Sequence, residues 1–150
     1  PLLTSVNMVN APLVAKERNI DITEITHDRE GDYHTLSRLS VETERATRVI
    51  AGTLFANKWP RIVSVLGVAI EAELTPHMLF VTNDDKPGFI GALGTLLGEA
   101  GVNIATFSLG RNEERTRAIA LVSVDEAIPA AVLEKVAALK HVRRVKALTF

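Results

Sequence analysis

The residues best equipped for chemistry lie in Asn83-Asp84-Asp85-Lys86-Pro87-Gly88, between the apolar run Met78 to Val81 and the glycine-spaced segment Phe89 to Gly101. A strand that runs into a polar turn and then into a helix makes a small anion-binding corner. Its aspartates offer capping oxygens, proline suits a first helical turn, and a helix start presents backbone N–H groups without intrahelical acceptors. Asp85 can accept from an ammonium group, and the N–H groups near Pro87, Gly88 and Phe89 can meet a carboxylate. Asn103, in the next strand-like run, Val102 to Leu109, supplies both a donor and an acceptor. Such a corner has the chemistry to hold a small zwitterion. The same residues also have an architectural reading, with Asp85 capping the helix and Asn103 turning the chain into the second strand.

Other constellations carry less. His27, Asp28, Glu30, Asp32 and His34 crowd one hairpin, but a turn selects Asp and Gly for backbone reasons alone, so no metal site is read there. The chain has no cysteine, which removes disulfides, thiolate metal sites and thiol catalysis together. No G-x-G-x-x-G follows a strand, no serine sits in a nucleophile elbow, and no carboxylate pair stands in an expected pocket. No catalytic site is expected in this chain.

The elements that must position the corner are legible from periodicity. His77 to Phe150 reads strand (Met78–Asn83), helix (Pro87–Ala100), strand (Val102–Leu109), charged turn (Arg111–Arg115), strand (Thr116–Val124), helix (Ala130–Leu139) and strand (Val142–Phe150). That β-α-β-β-α-β order predicts a ferredoxin-like, four-stranded antiparallel sheet with both helices on one face. Gly88, Gly91, Gly94, Gly98 and Gly101 stripe the first of these helices. Interior glycine weakens a helix, so the stripe implies close approach, either of the helix to its own sheet or of a partner or ligand to the helix. Upstream, a helix beginning near Asn10, with Asn10 as its cap, precedes alternating runs at Ile20–Thr26, Thr35–Val41, Ala46–Leu54, Arg61–Leu66 and Val68–Ala72, the last two a hairpin about Gly67. The expected fold class is α+β: two small domains, 1–74 and 77–150, meeting near Thr75-Pro76-His77. With 47% hydrophobic residues and a net charge of −1, the composition is globular and argues against nucleic-acid or membrane-hugging surfaces. No apolar run approaches the roughly 20 residues of a membrane span and no secretory signal is visible, so a cytoplasmic location is expected. The first residue is Pro, and the pattern favours a piece of something longer.

These residues carry a resemblance. The segment N-D-D-K-P-G-F-I-G-A-L-G-T-L-L-G-E-A-G-V-N-I, Asn83 to Ile104, is similar to the turn, first helix and second strand of the ACT family of regulatory modules. V-N-A-P (Val9–Pro12), A-K-E-R (Ala15–Arg18), A-G-T-L-F (Ala51–Phe55) and P-R-I-V (Pro60–Val63) resemble the allosteric substrate-binding domain that precedes the ACT domain in long-form D-3-phosphoglycerate dehydrogenases. The resemblance implies a regulatory part that holds no cofactor, with NAD bound by catalytic domains of the same polypeptide. It implies L-serine as effector, held by Asn83, Asp85 and Asn103 where two ACT domains of a homo-oligomer meet. Family members often carry His or Tyr at the position of Asn83.

In the related enzymes the first domain can bind an anionic effector. The candidates here are Arg38, Arg48, Lys58 and Arg61, with Asn7 and Asn10 as neutral donors, since guanidinium forks suit phosphate oxygens. Ala69 and Glu73 stand where some members have further basic residues, and a carboxylate repels phosphate. The alternative is that these cations line a solvated sheet face. Two other functions fit the same domain order: the small regulatory subunit of an iron–sulfur L-serine dehydratase, or a purely structural oligomerisation module.

Overall fold

The computed structural model describes residues 6–26, 33 and 35–150. The chain divides into two compact units, 1–32 and 33–150. The first contains α1 (Ala11–Glu17), with Asn10 at the N-cap position and Pro12 in the first turn, where a missing N–H breaks no helical bond. The Asn10 side chain does not cap the helix: its Oδ1 accepts the Asn7 N–H at 2.7 Å, while Asn7 Oδ1 accepts from Val9 and Asn10. The strand expected at Ile20–Thr26 is not formed, and Ile20, Ile22 and Ile25 are more than half exposed. Alternation supplies an apolar face, but a strand also needs a hydrogen-bonding neighbour. The turn at Asp28–Asp32 lies outside the described residues, as do His27 and His34.

The second unit begins with β1 (Ser37–Thr43), β2 (Ala46–Phe55), β3 (Trp59–Val65) and β4 (Val68–Glu73). It continues with β5 (His77–Asp84), α2 (Phe89–Glu99), β6 (Ile104–Arg111), β7 (Arg117–Val124), α3 (Ala130–Ala137) and β8 (Val142–Thr149). The strands form two sheets, ordered β1-β2-β3-β4 and β6-β7-β5-β8, with every pairing antiparallel. The α+β class and the ferredoxin-like order expected from periodicity are thus found. Leu66 (φ 53) and Gly67 (φ 81) join β3 to β4, and two successive positive φ values match the twist of a tight hairpin.

Strict alternation dictates the layering. In β4, Val68, Ile70 and Ala72 are buried while Ala69, Glu71 and Glu73 face out. The buried set joins Ile62 and Val65 of β3 against Met78, Ile119 and Leu121 of the second sheet. The other face of that second sheet packs Leu79, Val81 and Val122 against Leu93 and Leu97 of α2 and Val136 of α3. Both helices therefore lie on one face, and the first sheet covers the opposite one. Leu97 is 0% exposed, so Leu97→Ala should lower stability by about 2–5 kcal/mol, read from urea denaturation.

Two glycines show what close approach means here. A Cβ at Gly110 of β6 would lie 2.4 Å from the Ala69 carbonyl oxygen, so β4 crosses β6 only because no side chain intervenes. The α2 stripe behaves differently. Nothing lies within 4 Å of a Cβ built at Gly91, Gly94 or Gly98, so the stripe does not seat the helix on its own sheet. Gly101 (φ 72) has a local task, ending α2 with its N–H on Gly98 and the Val102 N–H on Leu97. Gly91→Ala should therefore stabilise the chain by about 1 kcal/mol and raise its melting temperature by about 2–4 °C in a calorimetric scan.

Candidate functional site

The corner forms where β5 ends. Leu79, Val81 and Asn83 alternate onto the helix-covered face, leaving Asn83 only 2% exposed. Thr82 pairs with Arg144 and Asn83 with Val142, which leaves Arg143 as the extra residue of a bulge. A bulge redirects side chains at a strand end, and here Arg143 reaches the Asp84 carboxylate, with His141 Nδ1 3.9 Å from the same group. Asn83 Nδ2 donates to the Asp84 carbonyl at 2.8 Å, whereas its Oδ1 is buried without a hydrogen-bond partner among the described residues. Leaving a buried acceptor unpaired costs about 1–3 kcal/mol, so this oxygen invites a donor.

Asp85 does not cap α2. The N-cap position belongs to Gly88, whose φ of 95 suits glycine, and no side chain bonds the helix start. Pro87 consequently stands outside the helix. Asp85 instead accepts from Arg111, with Nε and Nη2 each 2.7 Å from Oδ2, and its side chain is 14% exposed. Both guanidinium nitrogens use one oxygen, which leaves Oδ1 outside this ion pair. Asn83, Asp85, Gly88, Phe89 and Leu109 line a cavity of about 150 Å³. It combines a carboxylate residue and a helix start, which together match an ammonium and a carboxylate carried by one small molecule.

Asn103 is not part of this cavity. It is exposed and its Nδ2 donates to Asp125 Oδ2 at 2.6 Å. It precedes Ile104 at the start of β6, whereas the corner sits beside Arg111 at the end of that strand, a separation of roughly 23 Å at strand rise. Arg111 itself was not legible as a site residue. The available signal was register: Ala118 of β7 pairs with Asn83 on one side and with Arg111 on the other.

The four cations considered for an anion site do not converge. Arg38 pairs with Ala51 and Arg48 with Val41, which sends their side chains to opposite faces of the first sheet. Lys58 lies over the Trp59 ring and Arg61 over Phe55, at 5.4 and 5.0 Å from the ring centroids. Arg61 is also directly opposite Glu73 across β3 and β4. Among the described residues no group of His, Asp and Glu is placed to hold a metal ion, and no helix is long and apolar enough to cross a membrane.

A four-stranded antiparallel sheet with two helices on one face and a polar corner between β5 and α2 defines a ferredoxin-like domain. Residues 77–141 match the ACT domain, and residues 1–66 match the D-3-phosphoglycerate dehydrogenase intervening domain. The D-3-phosphoglycerate dehydrogenase of Methanocaldococcus jannaschii is 31% identical over 144 residues, covering 96% of this chain and 27% of that protein. The Bacillus subtilis enzyme of the same name is 32% identical over 143 residues, covering 95% and 27%. That of Synechocystis is 34% identical over 138 residues, covering 92% and 25%. Along these residues the chain is similar to the C-terminal part of long D-3-phosphoglycerate dehydrogenases, the part in which their intervening and ACT domains follow one another. It spans about a quarter of the length of these relatives.

Proposed function

We propose that this chain senses an amino acid, L-serine, on behalf of an NAD-dependent D-3-phosphoglycerate dehydrogenase of serine biosynthesis. The single observation that carries this reading is the small cavity that Asn83, Asp85 and the start of α2 line together, with Asn83 2% exposed at the end of β5. The ammonium group lies on Asn83 Oδ1 and Asp85, and the carboxylate on the first N–H groups of α2. In this reading residues 1–74 form the substrate-binding regulatory domain and 77–150 the ACT domain. Regulation follows if L-serine prefers one arrangement of the oligomer over another.

The remoteness of Asn103 from its own cavity supports a site shared between two copies, with Asn103 of one closing over Asn83 and Asp85 of the other. Asn103→Ala should then weaken L-serine by at least about tenfold, as for loss of one hydrogen bond to a charged group. An unchanged affinity on calorimetric titration would leave the ligand to a single copy. A titration with L-serine, glycine and L-alanine tests the whole reading: saturable binding of L-serine supports it, and a melting temperature indifferent to all three at millimolar concentration supports a purely structural oligomerisation module instead. The reading as a subunit of an iron–sulfur L-serine dehydratase has no counterpart among the relatives named above.

A further inference from the structure

The two sheets of the second unit close tightly where β4 crosses β6 and part at the opposite edge. There Leu39 and Val41 of β1 and Ile50 of β2 point toward the second sheet yet stay 63%, 48% and 38% exposed. With Phe80 of β5 they line a cleft of about 280 Å³. Three cations also line it: Arg48 from the first sheet, in register with Val41, and Arg144 and Lys146 from β8, in register with Thr82 and Phe80. No Asp or Glu lines the cleft, and none of the three cations is in an ion pair among the described residues. Positive charge converging from both walls of an apolar slot is unusual in a chain whose net charge is −1.

We propose that this cleft binds an amphipathic monoanion, a carboxylate of about eight carbons in all with an alkyl or aryl body. The volume holds roughly nine non-hydrogen atoms at a liquid-like ~30 Å³ each. Leu39, Val41, Ile50 and Phe80 enclose the body, and Arg48, Arg144 and Lys146 meet the head. A bare phosphate would use the cations and leave the apolar walls wet. An apolar surface of a second copy would cover the walls and strand three desolvated cations. Only a ligand carrying both characters satisfies both halves of the slot. The inference is independent of the L-serine site, which lies on the helix-covered face of the second sheet.

The test is calorimetric titration of the 150-residue chain with octanoate, with inorganic phosphate and octyltrimethylammonium as separate arms. Octanoate should bind with sub-millimolar affinity, and phosphate and octyltrimethylammonium at least about tenfold more weakly, since each lacks one of the two recognised features. Arg144→Gln with Lys146→Gln should lower octanoate affinity at least about tenfold while leaving L-serine affinity unchanged. Arg48→Gln on an exposed position repeats the measurement if the double variant does not fold. The proposal is overturned by absence of saturable octanoate binding, by equal binding of phosphate or of the cationic analogue, or by indifference to the charge-removing variants. It is equally overturned if sedimentation shows copies associating through this cleft in an interface abolished by Leu39→Glu.

Discussion

Gly110→Ala is expected to destabilise the chain by about 3 kcal/mol, the upper end of what overpacking costs. The added carbon would sit 2.4 Å from the Ala69 carbonyl oxygen, 2.9 Å from Val68 Cγ1 and 3.0 Å from Ile70 Cβ. The nearest of these atoms is backbone, within a hydrogen-bonded strand, so no rotamer change relieves the clash. Either β4 lifts from β6 or β6 bends away from β7, and both open the core shared by Ile62, Val65, Met78 and Leu121. Urea denaturation of Gly110→Ala beside Gly91→Ala makes the comparison internal. The same substitution should have opposite signs at the two sites, because one glycine faces a strand and the other faces open space. A Gly110→Ala midpoint equal to that of the unaltered chain would show that the sheets yield freely.

Asp85→Ala should weaken L-serine at least tenfold, following the roughly 1.5–3 kcal/mol of a charge-assisted hydrogen bond. The change removes the carboxylate facing the ligand and frees Arg111, whose side chain is 51% exposed and can be solvated in its absence. Asp85 itself is only 14% exposed, so the melting temperature of the variant has to be read beside its affinity. That pairing matters, because a drop in affinity accompanied by intact melting locates the effect in recognition. Calorimetric affinity equal to that of the unaltered chain would remove Asp85 from the site.

Much of the second unit can be read from residues alone because its strands are amphipathic on a period of two and its helices on a period near three and a half. The run Val68 to Ala72 shows the alternation that its burial later obeys. Ile20 to Thr26 shows a similar alternation and forms no strand, since pairing depends on a neighbour that the segment itself does not encode. The site divides along the same line. Asn83 and Asp85 are local to one turn and could be nominated together. Arg111 lies 26 residues from Asp85 and joins it only through strand register. Expecting Asp85 to cap α2 was reasonable chemistry, but an arginine on β6 competes for the same carboxylate and takes it. Arg48 and Arg38 look alike in sequence, yet a three-residue offset between the paired registers sends them to opposite faces, and Arg48 shares its cleft with Arg144 and Lys146.

Because β3 and β4 roof the helix-free face of the second sheet, the connection through Thr75-Pro76 does not divide the core. Thr75 Oγ1 even donates to the buried Ser123 Oγ at 3.0 Å, tying the connection into β7. Severed there, each half would present an oily surface to water, Ile62 and Ile70 on one side and Met78, Ile119 and Leu121 on the other. Residues 33–150 should therefore absorb heat in one cooperative transition. For the same reason residues 77–150 are no interchangeable cassette: grafted onto another protein, they would have to bring their roof along or acquire a polar back.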